Sequence, residues 1–224
     1  MNIAIFGNGK MGNEISLLAK SRGHTISCVS SSKNPAKKLN LKNIDIAIEF
    51  STPETAFDNI CYALQNNVPV ICGTTGWEEK LEEIKNKCKI HKGAFLYASN
   101  FSIGMNIFFE ISQKIASLLK NENYKIQISE THHKSKKDVP SGSAKRLAND
   151  LKTITKCSPL INSHRKENII GKHIVDFDLL YENIQIKHNA KNRKIFAIGA
   201  IIAAEWIIGK KGVFNMKDVL NLTN

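Results

Sequence analysis

His132-His133-Lys134-Ser135-Lys136-Lys137 packs two histidines and three lysines into six residues. Asp138, Val139 and Pro140 follow, and then Ser141-Gly142-Ser143 reads as a helix start that presents hydroxyls and unpaired backbone N–H groups. A carboxylate bound there would meet oriented donors, the positive end of a helix dipole and nearby ammonium groups together. The stretch therefore reads as an anion site. A histidine beside it titrates at about 6.5 when unperturbed and can donate a proton near neutral pH, and a bound anion would favour its charged form. No metal is expected: adjacent histidines point apart, and no carboxylate or cysteine stands at ligand spacing.

Gly7-Asn8-Gly9-Lys10-Met11-Gly12 fits G-x-G-x-x-G between a predicted strand and a predicted helix. The first glycine permits a tight turn, the second lets a pyrophosphate approach the backbone, and the third lets helix and strand pack closely. Dinucleotides in such folds meet an acidic residue near the end of the second strand, about 20 residues on, when the ribose carries a free hydroxyl. Ser30-Ser31-Ser32-Lys33 stands there instead. Hydroxyls at Ser31 and Ser32 beside an ammonium tolerate a 2′-phosphate, which favours NADPH and leaves NADH usable. A second turn, Gly73-Thr74-Thr75-Gly76, offers hydroxyls and N–H groups to the nicotinamide ribose or carboxamide.

The elements that must position these groups follow from periodicity. Strands are predicted at 2–6, 24–29, 44–50, 69–72 and 94–98, with helices at 11–21, 52–66 and 78–89 between them. That alternation implies a doubly wound parallel sheet. After Asn100 the pattern changes: a helix over 103–119 with Ile107, Phe108, Ile111, Ile115, Leu118 and Leu119 on its apolar side, a strand over 124–131, a helix over 141–152, strand-rich sequence over 174–188 and a buried helix over 195–209. The expected fold class is α/β: a Rossmann-type domain plus a second α+β domain with an open mixed sheet.

At 224 residues and 42% hydrophobic content the chain is of ordinary globular composition. No apolar run reaches the roughly 18 residues that a membrane span needs. The opening residues lack the basic and apolar regions of a signal peptide, and five cysteines without a C-x-x-C pair suit reduced thiols in a cytoplasm. Only four of the 32 basic residues are arginine, so the net charge of +12 reads as lysine spread over a solvated surface. Neither a nucleic-acid nor a membrane partner is expected.

These motifs, in order, resemble the 4-hydroxy-tetrahydrodipicolinate reductase (dihydrodipicolinate reductase) family of bacterial lysine and diaminopimelate synthesis. The resemblance runs nearly end to end: the glycine loop, Gly73 to Gly76, the stretch Ala98-Ser99-Asn100-Phe101-Ser102-Ile103-Gly104-Met105-Asn106, the segment from Glu130 through His132-His133 to Ala144, and Arg193 to Trp206. It implies His132 as proton donor and Lys136 as the second catalytic residue. It implies His133, Gly142 and Ser143, with Ser141 at the same helix start, as contacts of a small dicarboxylate substrate. Gly7 to Gly12, Gly73 to Thr75, Ala98 to Phe101 and Arg193 are the implied cofactor contacts. It further implies a homotetramer, a dinucleotide-binding domain over 1–102 and 194–224, and a substrate and oligomerisation domain over 103–193.

Several positions depart from the family pattern. The glycine loop is one residue short, Ser31 and Ser32 replace a frequent acid–arginine pair, Thr52 replaces an arginine before Pro53, and Ser143 replaces threonine. Three rival readings are another NAD(P)-dependent reductase of similar design with a different anionic substrate, a catalytically silent nucleotide-binding regulator, and a nucleic-acid binder, which would show steeply salt-dependent DNA affinity.

Overall fold

β-Branched runs alternating with amphipathic stretches bury both by stacking helices on the two faces of a parallel sheet. A computed structural model describes residues 1–222, divided into one unit of residues 1–103 and 194–222 and a second of residues 104–193. The chain enters the first unit through β1 (Asn2–Phe6), α1 (Lys10–Ser21), β2 (Thr25–Ser30), β3 (Ile46–Glu49), α2 (Pro53–Gln65), β4 (Val70–Cys72), α3 (Leu81–Ile90) and β5 (Ala94–Tyr97). The second unit holds α4 (Ile103–Leu118), β6 (Tyr124–His132), α5 (Gly142–Thr155), β7 (Leu160–Arg165), β8 (Gly171–Leu179) and β9 (Asn183–Ala190). The chain then completes the first unit with α6 (Lys194–Ile207), β10 (Gly212–Phe214) and α7 (Met216–Val219).

In the first unit the strand order is β10-β5-β4-β3-β1-β2, all parallel. Side chains of a strand alternate between faces. Ile3, Ile5, Ile46, Ile48 and Leu96 therefore pack with Ile15 of α1 and Ala200, Ile201 and Ala204 of α6. Ala4, Phe6, Ala47, Val70 and Phe95 pack with Ile60 and Leu64 of α2 and Ile84 of α3. The order reverses at β1, which has β2 on one side and β3 on the other; folds of this kind bind ligands at the carboxyl ends of the strands there.

In the second unit the sheet order is β7-β6-β8-β9, with β6 and β7 parallel and the other pairs antiparallel. One face packs on α4 and α5 through Phe108, Phe109, Ile128, Leu147, Leu151, Val175 and Phe177. The expected α/β class with a second, mixed-sheet domain is what forms.

Some elements differ from the periodicity reading. β7 and β10 have weak signals, one polar throughout its second half and the other three residues long. The strand-rich 174–188 segment is the inner part of a hairpin whose first strand begins at Gly171. The side of α4 expected to be its core is split. Phe108 is buried, whereas Ile107, Ile111 and Leu118 are exposed within the chain, because Met105, Phe109, Ser112 and Ala116 turn inward instead.

Candidate active site

At the carboxyl end of β1, Gly7 adopts φ +112°, and a Cβ there would lie 2.2 Å from the Phe50 carbonyl oxygen. Its N–H donates to Ser30 Oγ at 3.0 Å, so the serine at the end of β2 fastens the loop. A Cβ at Gly12 would lie 1.9 Å from the Gly7 carbonyl oxygen; that glycine is demanded by packing. Gly9 is different. Its φ of −71° is ordinary, and a Cβ there would meet no protein atom within 4 Å. The protein itself does not require glycine at 9, while a phosphate lying on the backbone does. Gly9 precedes α1 with no side-chain cap and no acid in the first turn, so the helix start keeps its positive end for an anion. Asn8, Gly9 and Lys10 are exposed, and Met11 is half-buried. These residues fit a dinucleotide.

Ser31, Ser32 and Lys33 follow β2 without a carboxylate among them, Ser32 and Lys33 exposed. The Ser31 hydroxyl accepts the Asn34 N–H at 3.1 Å and so shapes its turn as well as facing solvent. Gly73 to Thr75 and Ala98 to Phe101 follow β4 and β5, which puts them at the same end of the sheet as the glycine loop. The second turn is more structural than its sequence suggests. Thr74 is buried, and its hydroxyl accepts the Ser51 N–H at 2.9 Å. A Cβ at Gly73 would lie 2.2 Å from the Phe50 ring. Thr75 and Ser99 are exposed. Asn100 Oδ1 accepts the Ser102 N–H at 2.9 Å, and Phe101 is buried against Phe50 with ring centroids 5.5 Å apart.

The second unit assembles its chemistry at one end of its sheet. Glu130 and His132 are two apart on β6 and so share a face; Glu130 is paired with Ser163 on β7 and His173 on β8, which in turn is paired with His188 on β9. His132 is paired with Arg165. Glu130, fully buried, accepts at Oε1 from both terminal nitrogens of Arg165 at 3.3 Å and from the Ser141 N–H at 3.0 Å. Its Oε2 lies 2.7 Å from His132 Nδ1, an ion-pair contact in which neither atom has a hydrogen-bond partner among the described residues. Burial pushes the Glu130 carboxyl up, but Ser141, Ser163 and the charge of His132 outweigh it and bring the pKa to about 2. Burial pulls His132 below its ordinary value, Glu130 opposes that pull, and Lys136 and Arg165 reinforce it. His173, its ring 5.1 Å from that of His132, is lowered to about 4, chiefly by burial and then by the charge of His132.

Lys136 lies 2.7 Å from Asp138 Oδ1, and the Gly142 N–H donates to Asp138 Oδ2 at 3.2 Å. Ser141 caps α5 by accepting the Ala144 N–H at 3.3 Å, and its hydroxyl is 3.4 Å from His173 Nε2. Arg165 donates to the Asp138 carbonyl at 2.6 Å and ties the loop to β7. His133 contacts Ser135 Oγ at 2.8 Å and Arg193 Nη2 at 3.4 Å. Arg193, expected among cofactor contacts, thus stands beside His133 of the same unit. Ser143 is half-buried at the helix start. Lys134 points away to an exposed pair with Glu167 at 2.5 Å.

Two sequence expectations need correction. The helix start does not present unpaired N–H groups throughout, because Asp138 and the Ser141 hydroxyl already take those of Gly142 and Ala144. A carboxylate does stand at ligand distance from His132: Glu130, His132 and His173 bring ligand atoms within 4.8 Å of one another. Glu130 was legible as the i−2 neighbour of His132 on one strand face. Arg165 and His173 carried no local signal.

The family model described as dihydrodipicolinate reductase, N-terminus, matches residues 1–101, and that described as dihydrodipicolinate reductase, C-terminus, matches residues 104–220. A protein of Christiangramia forsetii named 4-hydroxy-tetrahydrodipicolinate reductase is 40% identical, over 99% of this chain and 98% of its own. One of the same name from Wigglesworthia glossinidia brevipalpis is 38% identical, over 96% of this chain and 90% of its own. The dipicolinate-bound dihydrodipicolinate reductase of Paenisporosarcina sp. TG-14 shares the fold, with a TM-score of 0.80 at 22% identity, covering 97% of this chain and 98% of that one.

Proposed function

The chain belongs to the dihydrodipicolinate reductase family, and we propose that it reduces 4-hydroxy-tetrahydrodipicolinate to tetrahydrodipicolinate, with loss of water, in diaminopimelate and lysine synthesis. The observation that carries this reading is the buried His132 at the end of β6, backed by Glu130 and followed by the loop that carries Lys136 to the α5 start. A bound reduced nicotinamide supplies the hydride. Hydride addition to a conjugated carbon leaves negative charge on the substrate ring. Lys136 stabilises that charge, and His132 gives the compensating proton. Carboxylates of the substrate draw on Lys136, His133, Arg193 and the Ser141–Ser143 helix start.

For the cofactor, Gly7 to Gly12 hold the pyrophosphate, with Gly73 to Thr75 and Ala98 to Phe101 nearer the nicotinamide. NADPH is favoured and NADH usable, since Ser31 and Ser32 offer hydroxyls where a carboxylate would repel a 2′-phosphate. The domain limits 1–102 with 194–224, and 103–193, the homotetramer and a cytoplasmic location belong to the same reading. No nucleic-acid or membrane partner is part of it; among the described residues no helix is long and apolar enough to cross a membrane. The test is nicotinamide oxidation on freshly condensed substrate with each cofactor in parallel. Cofactor binding without turnover would point to a reductase for a different anion.

A further inference from the structure

An imidazole donates a catalytic proton from one nitrogen only, and something must choose which. The geometry points to Glu130 and Gly171 as the positioning pair that makes Nε2 the working nitrogen of His132: Glu130 holds the Nδ1 side inward, and the missing side chain at Gly171 leaves the Nε2 side clear. This rests on the reading of His132 as the proton donor.

The Glu130 carboxylate is itself fixed. Arg165 and the Ser141 N–H occupy Oε1, so Oε2 is the oxygen left to His132 Nδ1, 2.7 Å away. The carboxylate charge, 2.7 Å from Nδ1 though not hydrogen-bonded to it, favours the neutral ring that carries its proton on Nδ1 and its lone pair on Nε2. Taking a second proton puts that proton on Nε2. In the transfer the Nε2–H bond breaks and a C–H bond forms at the substrate carbon, returning the ring to its neutral, Nδ1-protonated state.

Gly171 opens β8, one step past the Thr131–Lys172 pair. Glycine weakens a strand, and inside one it marks a place of close approach. Its backbone gives no other reason for it, since Gly171 is not among the positive-φ glycines. A Cβ at 171 would lie 3.1 Å from His132 Nε2 and 3.4 Å from its Cδ2, with His173 Cε1 at 4.0 Å. The side chain that glycine omits is one that would shield Nε2.

The groups facing His132 are Glu130 on its own strand, Arg165 from β7, His173 from β8, and Lys136 from the following loop; His188 stands behind His173. Glu130 is the one acid among them, so it alone sustains the protonated ring against burial and two cations.

Nitrogen-15 NMR of the full chain, labelled at histidine and assigned through His132→Gln, reads the tautomer without activity. We expect protonated Nδ1 and bare Nε2 in neutral His132, and loss of that preference in Glu130→Gln. The alkaline limb of kcat/KM should move down by about 1–3 pH units in Glu130→Gln, the range for losing an adjacent opposite charge. Gly171→Val, tolerated by a strand, should lower kcat about 100-fold with cofactor Kd unchanged, as small misplacements at a reacting centre do, and Gly171→Ala should fall between. An Nε2-protonated neutral ring in the parent protein overturns the proposal, even where Glu130→Gln fails to fold. So does full kcat in both Gly171 variants. If the parent protein fails to turn over the substrate, the functional reading fails while the tautomer still decides this one.

Discussion

Asp138 bridges the Lys136 ammonium, 2.7 Å from its Oδ1, and the Gly142 N–H, which donates to its Oδ2 at 3.2 Å. Both donors are ones assigned to a substrate carboxylate, so an internal carboxylate already sits where the ligand's is expected. Asp138 lies below the usual carboxylate range, first through its bond to Lys136, and therefore competes as an anion at neutral pH.

Removing the competitor has a predictable sign. The pair is half exposed, and such pairs contribute about 0.2–1 kcal/mol. Asp138→Asn should therefore tighten binding of the proposed dicarboxylate substrate by up to about fivefold, read as a lower KM. Weaker binding would show that Asp138 instead orients Lys136.

His132→Gln should lower kcat by about 10²–10⁴-fold, the scale of lost acid–base catalysis, with cofactor binding and melting temperature unchanged. Steady-state kinetics alongside cofactor titration checks it. Unchanged turnover removes His132 from the mechanism.

The two glycines of the nucleotide loop should respond oppositely. Gly12→Ala forces a Cβ to within 1.9 Å of the Gly7 carbonyl, so the loop must move, and overpacking of this kind costs about 1–3 kcal/mol or more; thermal denaturation reads it. Gly9→Ala meets no protein atom within 4 Å and should leave the melting temperature near the parent's while weakening NADPH binding about tenfold or more.

Cofactor choice should turn on the end of β2. The parent protein is expected to show kcat/KM for NADPH at least equal to that for NADH, and Ser31→Asp, which keeps an acceptor for the Asn34 N–H, should reverse the order. A strong NADH preference in the parent refutes the assignment.

His173 makes stability acid-sensitive. Its folded pKa of about 4 lies below the ordinary value of about 6.5, so the unfolded chain takes the proton first. The contribution is fully present above about pH 6.5 and is lost as pH falls towards about 4, amounting to about 3 kcal/mol in all. Urea unfolding across that window should give a shallower pH slope for His173→Gln. Equal slopes would mean that burial of His173 does not control acid stability.

Much of this protein was legible in one dimension. Strand and helix periodicity located the parallel half, because side-chain burial on each element repeats with the backbone's own geometry. Local motifs, above all the run from Glu130 through His132 to Ala144, carried the family resemblance and the anion site, since proline, serine and glycine act on their immediate neighbours. β7 and β10 escaped because short edge strands are chosen by the partners beside them rather than by their own composition.

What the tertiary structure alone decided is who surrounds His132. Arg165, Gly171 and His173 come to it through the register of β7 and β8 against β6, and register depends on how a whole sheet packs, so no residue announces it locally. The same holds for the Asp138 carboxylate, whose place on Lys136 and Gly142 follows from Arg165 drawing the loop onto β7. Residue types along the chain determined which chemistry was present; strand pairing determined which atoms meet, because contacts between distant segments arise only when the sheet closes.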